Sequence, residues 1–175
     1  MKTNVALVGF VGVGKSSVGK LLAERLGKKY IEADSLIVQK AGKSISRIFQ
    51  EDGEIYFREL EIETIKDIAS EWGQVIDCGG GAVLNKINID RLKLDSVIVW
   101  LTASAAIILK RASADGDGRP LLKGKIGIED INSLIHFRKP FYRLAADIKV
   151  NTSRLGIKSV VTRIVEQLDE NEDFN

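Results

Sequence analysis

The stretch GFVGVGKS, Gly9 to Ser16, limits what this chain can fold into more than any other segment. It has the spacing G-x-x-x-x-G-K-[ST]. It follows the apolar run NVALVGF (4–10), which reads as a buried strand. It opens GKSSVGKLLAERLG, where Val18, Leu21, Leu22 and Leu26 recur at helical spacing up to a C-capping Gly27. Strand, glycine loop and helix in that order make a cradle for phosphate. The glycines let successive N–H groups, here from Gly12 to Ser17, curl toward phosphate oxygens. The helix adds the positive end of its dipole. Lys15 brings a full charge to the β- and γ-phosphates, and the Ser16 hydroxyl is a hard oxygen ligand for Mg²⁺. Lys2 and the apolar run after it mimic a secretory leader. Gly9, Gly12 and Gly14 interrupt that run, however, and no small-x-small cleavage site precedes Lys15. No apolar segment reaches the ~18–20 residues that span a bilayer. A cytoplasmic protein with no membrane partner is expected.

With 175 residues, a single domain spanning 1–175 is expected. The net charge of +2 argues against a nucleic-acid partner, because such binders carry a large basic surplus. One cysteine, Cys78, permits no internal disulfide, and one His with one Cys leaves no zinc site. The acidic end DENEDFN (169–175) is the one stretch whose composition suggests disorder.

Further apolar segments continue the alternation. KKYIEAD, QVIDCGGGAV, SVIVWLTA and DIKVNT read as strands. Residues 35–71 read as helices broken at Gly42 and at 51–53, with Ser44 as an N-cap. SAAIILKRAS and GIKSVVTRIVEQLDE read as helices, and IEDINSLIHFRKPFYRLA as a helix interrupted or ended near Pro140. Five strands alternating with helices predict an α/β fold, a parallel sheet covered on both faces. Ligands in such sheets sit beyond the carboxyl ends of the strands. The segment ADGDGRPLLKGKIG has no hydrophobic period, and residues 113–125 are expected to form a lid with hinges at Gly116 and Gly118.

Several polar clusters follow strands or lie on helices. Glu32 and Asp34 are two apart in YIEADSL and share a face if that segment is extended. One carboxylate can then address the metal and the other a substrate hydroxyl; a solvated turn with Asp34 as N-cap is the plainer alternative. Arg58 and Glu61 are three apart and can pair on a helix. Gly79–Gly81 let backbone N–H groups approach a ligand. Arg119 lies in the lid segment, where an arginine can swing onto phosphates. Arg138 can join Arg58 in gripping a carboxylate through paired hydrogen bonds. Trp100 and Cys78 read as core, and His136, two residues from Arg138 on a helix, faces elsewhere.

Taken together, these clusters resemble the shikimate kinase family. The resemblance runs from GFVGVGKSSVGKLLA through EADSLI, GKSISRIFQEDGEIYFRELE, CGGGAV and GRPLL to FRKPFYRLAADIKVNT. It implies a nucleoside-monophosphate-kinase-like P-loop fold with strand order 2-3-1-4-5. It implies transfer of the ATP γ-phosphoryl group to the 3-hydroxyl of shikimate, on the route to chorismate and aromatic amino acids. By the same resemblance Asp34 holds the hydroxyl as the base. Arg58 and Arg138 hold the carboxylate, within a substrate-binding region of about 33–61 and with Gly80 and Gly81 lining the pocket. Phe49, Phe57 and Glu61 shape or brace it. Lys15 and Arg119 meet the phosphates, and Arg111 and Arg154 flank adenine. Shikimate and ATP are the expected partners, Mg²⁺ the expected cofactor and a monomer the expected state.

Two positions depart from the family's pattern. Glu32 stands where the family usually has Asp, and Asp77 where it usually has Ser or Thr. Either Asp77 takes over the carboxylate's place near Mg²⁺, or Glu32 does that work and Asp77 points elsewhere. Two rival functions also stay open: another small-molecule kinase of this fold, such as a gluconate kinase, and a nucleotide-dependent regulatory domain without transfer. The absence of N-K-x-D counts against a GTPase.

Overall fold

Alternate residues of the first strand face opposite ways, and both faces are buried. Val5 and Leu7 join one apolar cluster; Ala6 and Val8 join another. That double burial is what a central parallel strand requires. The structure, a computed structural model, describes residues 1–114 and 127–174, and only the backbone of 112–114.

Five strands, β1 (Asn4–Val8), β2 (Lys29–Glu32), β3 (Gln74–Asp77), β4 (Ser96–Thr102) and β5 (Ile148–Asn151), form one parallel sheet in the order β2-β3-β1-β4-β5. The register sets Leu7 beside Asp77 and Asp77 beside Glu32, so the strand ends share one level. Helix α1 (Lys15–Leu26) covers one face, together with α6 (Ala105–Ala114) and α8 (Ile157–Asp169). Helix α4 (Gly53–Ala69), α5 (Lys86–Asp95) and α7 (Ile128–Ala145) pack on the other. Helices α2 (Ala33–Ala41) and α3 (Ile45–Glu51) lean on α4 around a small core of Ile37, Ile48 and Phe57. Ser44 caps α3 by accepting from the Arg47 N–H, and Gly27 ends α1 in the left-handed region with φ 62°.

Three expectations are corrected. Helix α7 runs unbroken through Pro140. Both Pro140 and His136, whose carbonyl the ring displaces, are exposed, so the freed group is open to hydration. The acidic end is structured rather than disordered. Phe174 forms a parallel bridge with Lys2, packs against the α1-side core and lies 5.1 Å beneath the Lys28 ammonium. Strand β2 stops at Glu32, so Asp34 sits in the first turn of α2 with Glu32 at the N-cap position. The expected extended alternation of those two carboxylates is absent, and Asp34 is not the cap.

Candidate active site

The carboxyl ends of the strands feed one cavity of about 830 Å³. The loop after β1 lines one end with Gly12, Val13, Gly14, Lys15, Ser16 and Ser17. Asp34, Phe49, Phe57, Arg58, Glu61 and Arg138 line the other. Gly79, Gly80 and Gly81 form the wall between them.

Lys15 is buried and donates from Nζ to the carbonyls of Gly9 (3.0 Å) and Phe10 (3.5 Å). The Ser16 hydroxyl donates to Asp77 Oδ2 at 2.8 Å, while Glu32 Oε1 lies 3.5 Å away. Asp77 is held by a second bond, from the Gly79 N–H to Oδ1 at 3.2 Å. Glu32 instead accepts from Ser35 at 2.8 Å. Tyr30 places its phenolic oxygen near Ser16 and Asp77, buried and without a hydrogen bond of good geometry. Burial, with Asp77 and Glu32 beside it, pushes the phenol's pKa upward.

Two glycines of the triple run stand where functional side chains come close, and Gly79 also needs a left-handed backbone. Gly79 has φ +73°, and a Cβ there would fall 2.7 Å from Asp34 Oδ1. A Cβ on Gly81 would fall 2.5 Å from Arg58 Nη1. The run therefore admits a carboxylate and a guanidinium to the same wall. Burial raises the pKa of Asp34, against the pull of Lys15. Arg58 donates to Glu61 at 2.9 Å and to Glu54 at 3.2–3.3 Å. Glu61 is almost wholly buried, and that burial pushes its carboxyl up against the pull of Arg58. Arg138, 7% exposed, gives one N–H to the Gly80 carbonyl at 3.1 Å, and its Nε is buried without a partner. Phe49 and Phe57 stand with ring centroids 4.7 Å apart at the cavity edge.

At the nucleotide-loop end, Arg111 donates to the carbonyls of Gly12 (3.3 Å), Val13 (3.0 Å) and Thr152 (3.0 Å). Arg154 is exposed and does not line the cavity, and Arg119 lies outside the described residues, as does most of the 113–125 segment. The sequence reading passed over Thr152, Glu54 and Tyr142. Thr152 ties β5 to the loop by donating to the Val13 carbonyl at 2.8 Å; its signal was a hydroxyl directly after a strand. Glu54 is four residues before Arg58, the spacing of a helical ion pair.

Comparison with known proteins is decisive. A family model described as "Shikimate kinase" matches residues 11–169. The chain belongs to the shikimate kinase family. A shikimate kinase of Geobacter sulfurreducens is 43% identical over 169 residues, covering 97% of this chain and 92% of the relative. One from Symbiobacterium thermophilum is 39% identical over 168 residues, covering 95% and 97%. The solved shikimate kinase of Acinetobacter baumannii, in complex with shikimate, superposes with a TM-score of 0.91 at 31% identity, covering 98% of this chain and 96% of that one. The shikimate kinase family thus accounts for almost the whole length, including the cavity described above.

Proposed function

We propose that this enzyme transfers the γ-phosphoryl group of ATP to the 3-hydroxyl of shikimate, giving shikimate 3-phosphate and ADP. The observation that carries the reading is the single cavity that joins a phosphate cradle to two arginines across a glycine wall. Arg58 and Arg138 converge on it from α4 and α7, two guanidinium groups suited to gripping a carboxylate.

Phosphoryl transfer asks the protein for positioning and charge stabilisation. Backbone N–H groups of 12–17 hold the phosphates, and Lys15 leaves the loop carbonyls to meet the charge that develops on the transferred group. Asp34 orients the hydroxyl and accepts its proton. Its raised pKa makes it a better proton acceptor than an ordinary aspartate. Arg111, from the cavity wall, flanks the adenine together with Arg154, which lies outside that wall in this structure, and Arg119 closes over the phosphates. Glu61 keeps Arg58 aimed at the cavity.

A hydroxyl and two carboxylates are hard oxygen donors and suit Mg²⁺. Among the described residues no cluster of three or more His, Cys, Asp or Glu would cage an ion alone. A metal held mainly by phosphate and water would have Ser16 and a carboxylate beside it. Magnesium, when bound, neutralises charge on the β- and γ-phosphates. The 2.8 Å bond from Ser16 favours Asp77 over Glu32 as that carboxylate. No described helix is long and apolar enough to cross a membrane. The same reading has the enzyme act in the cytoplasm as a monomer, without nucleic acid or membrane.

The test is ADP release from ATP and Mg²⁺ with and without shikimate, repeated with Lys15→Met. Release that depends on shikimate and is lost in the variant supports the reading. Release indifferent to shikimate, or driven equally by gluconate, overturns it.

A further inference from the structure

The peptide between Gly80 and Gly81 has no side chain on either flank to resist rotation. Its carbonyl direction is therefore set by its hydrogen-bond donors. Both donors come from α7, one turn apart: Tyr142 Oη at 2.7 Å and Arg138 Nη1 at 3.1 Å. They differ in freedom. Tyr142 is 2% exposed and stacks on Trp100 of β4, with ring centroids 5.5 Å apart and planes 13° apart. Arg138 ends a long flexible side chain, 5.5 Å over the face of Phe10 in the phosphate loop.

We propose that Tyr142 is a positioning residue for the substrate carboxylate. Its phenol fixes the Gly80 carbonyl and sits beside the Arg138 guanidinium, so that Arg138 is located by the carbonyl and the phenol together and keeps other N–H groups for the substrate. A guanidinium carries five N–H donors, and Arg138 spends one on Gly80 while its Nε stays unpartnered. Without the phenol, the carbonyl keeps Arg138 as its side-chain donor, and carbonyl and guanidinium shift together. The aim of the carboxylate grip is then lost, although every group that touches substrate remains. The inference rests on the reading of Arg138 as a carboxylate anchor.

Tyr142→Phe removes one oxygen and keeps the stack on Trp100. The expected result is a five- to tenfold rise in KM for shikimate, of the order one buried hydrogen bond supports. The KM for MgATP and kcat should stay within about twofold. With shikimate methyl ester, whose carboxylate is masked, wild type and variant should differ by less than twofold. A KM for shikimate that does not move, or an equal loss on ester and acid, overturns the proposal. Should Tyr142→Phe not fold, Trp100→Phe loosens the same stack and should raise KM for shikimate two- to threefold while sparing MgATP; no change there also overturns it. Wild-type enzyme that ignores shikimate would instead sink the functional reading, so the two failures are distinct.

Discussion

Replacing Asp77 with Ser should raise the Mg²⁺ requirement far more than replacing Glu32 with Gln. The Ser16 hydroxyl has one hydrogen, and it goes to Asp77 at 2.8 Å, leaving its lone pairs for a cation. Asp77 is 3% exposed and fixed by the Gly79 N–H, so its geometry is set before any ligand arrives. A hydrogen bond to a buried charged group contributes about 1.5–3 kcal/mol, and loss of a partner that orients a metal ligand costs about 10–100-fold in affinity. Glu32 sits 3.5 Å from the same hydroxyl, beyond a good hydrogen bond, and is occupied by Ser35. Its change to Gln should cost about twofold to threefold, in the range of a weak exposed pair. The assay is initial rate against free Mg²⁺ at saturating ATP and shikimate, with calorimetry of ADP binding at low and high Mg²⁺ as an independent reading. Equal effects, or a larger one in Glu32→Gln, would refute the division of labour between the two carboxylates.

Gly79→Ala forces a side chain into the left-handed region, at about 1–2 kcal/mol, and sets a Cβ against Asp34. Transfer should fall at least 100-fold while the melting temperature drops only a few degrees, checked by kinetics and thermal unfolding. Asp34→Asn should abolish transfer yet stabilise the fold at neutral pH. Burial raises the native pKa of Asp34, so its stability contribution is complete below the unfolded aspartate pKa and is lost as pH rises through the native one. The stability gap between variant and wild type should therefore close on acidification into the ordinary aspartate range; a constant gap from pH 7 down to pH 3 would refute it. Arg119→Ala should cut kcat by about 10³-fold or more with ADP affinity largely kept, measured by coupled assay and titration.

The strand order and the site followed from different kinds of signal. Fully buried strands such as Ser96–Thr102 announce themselves as β-branched runs, and the phosphate loop is a local motif, so both are legible in one dimension. The order β2-β3-β1-β4-β5 came from family resemblance, because nothing local in a strand names its neighbours. Arg58 and Glu61 were readable as a helical pair. That Arg138, eighty residues on, reaches the same cavity came from family resemblance too, since only tertiary packing brings α4 and α7 to the glycine wall. Pro140 misled because the rule that it breaks helices holds where its freed carbonyl is buried, and here that carbonyl's residue is exposed. Thr152 and Tyr142 were overlooked because each acts on a main-chain carbonyl, and sequence carries no mark of which carbonyl needs a donor.

The pairing of Lys2 with Phe174 sets the two end stretches side by side, at the edge of the sheet opposite the cavity. A short glycine linker would bridge them with little distortion. New ends could then be opened elsewhere on the surface, and such a circularly permuted enzyme should keep its architecture. An affinity handle fused at either terminus would hang clear of both substrates.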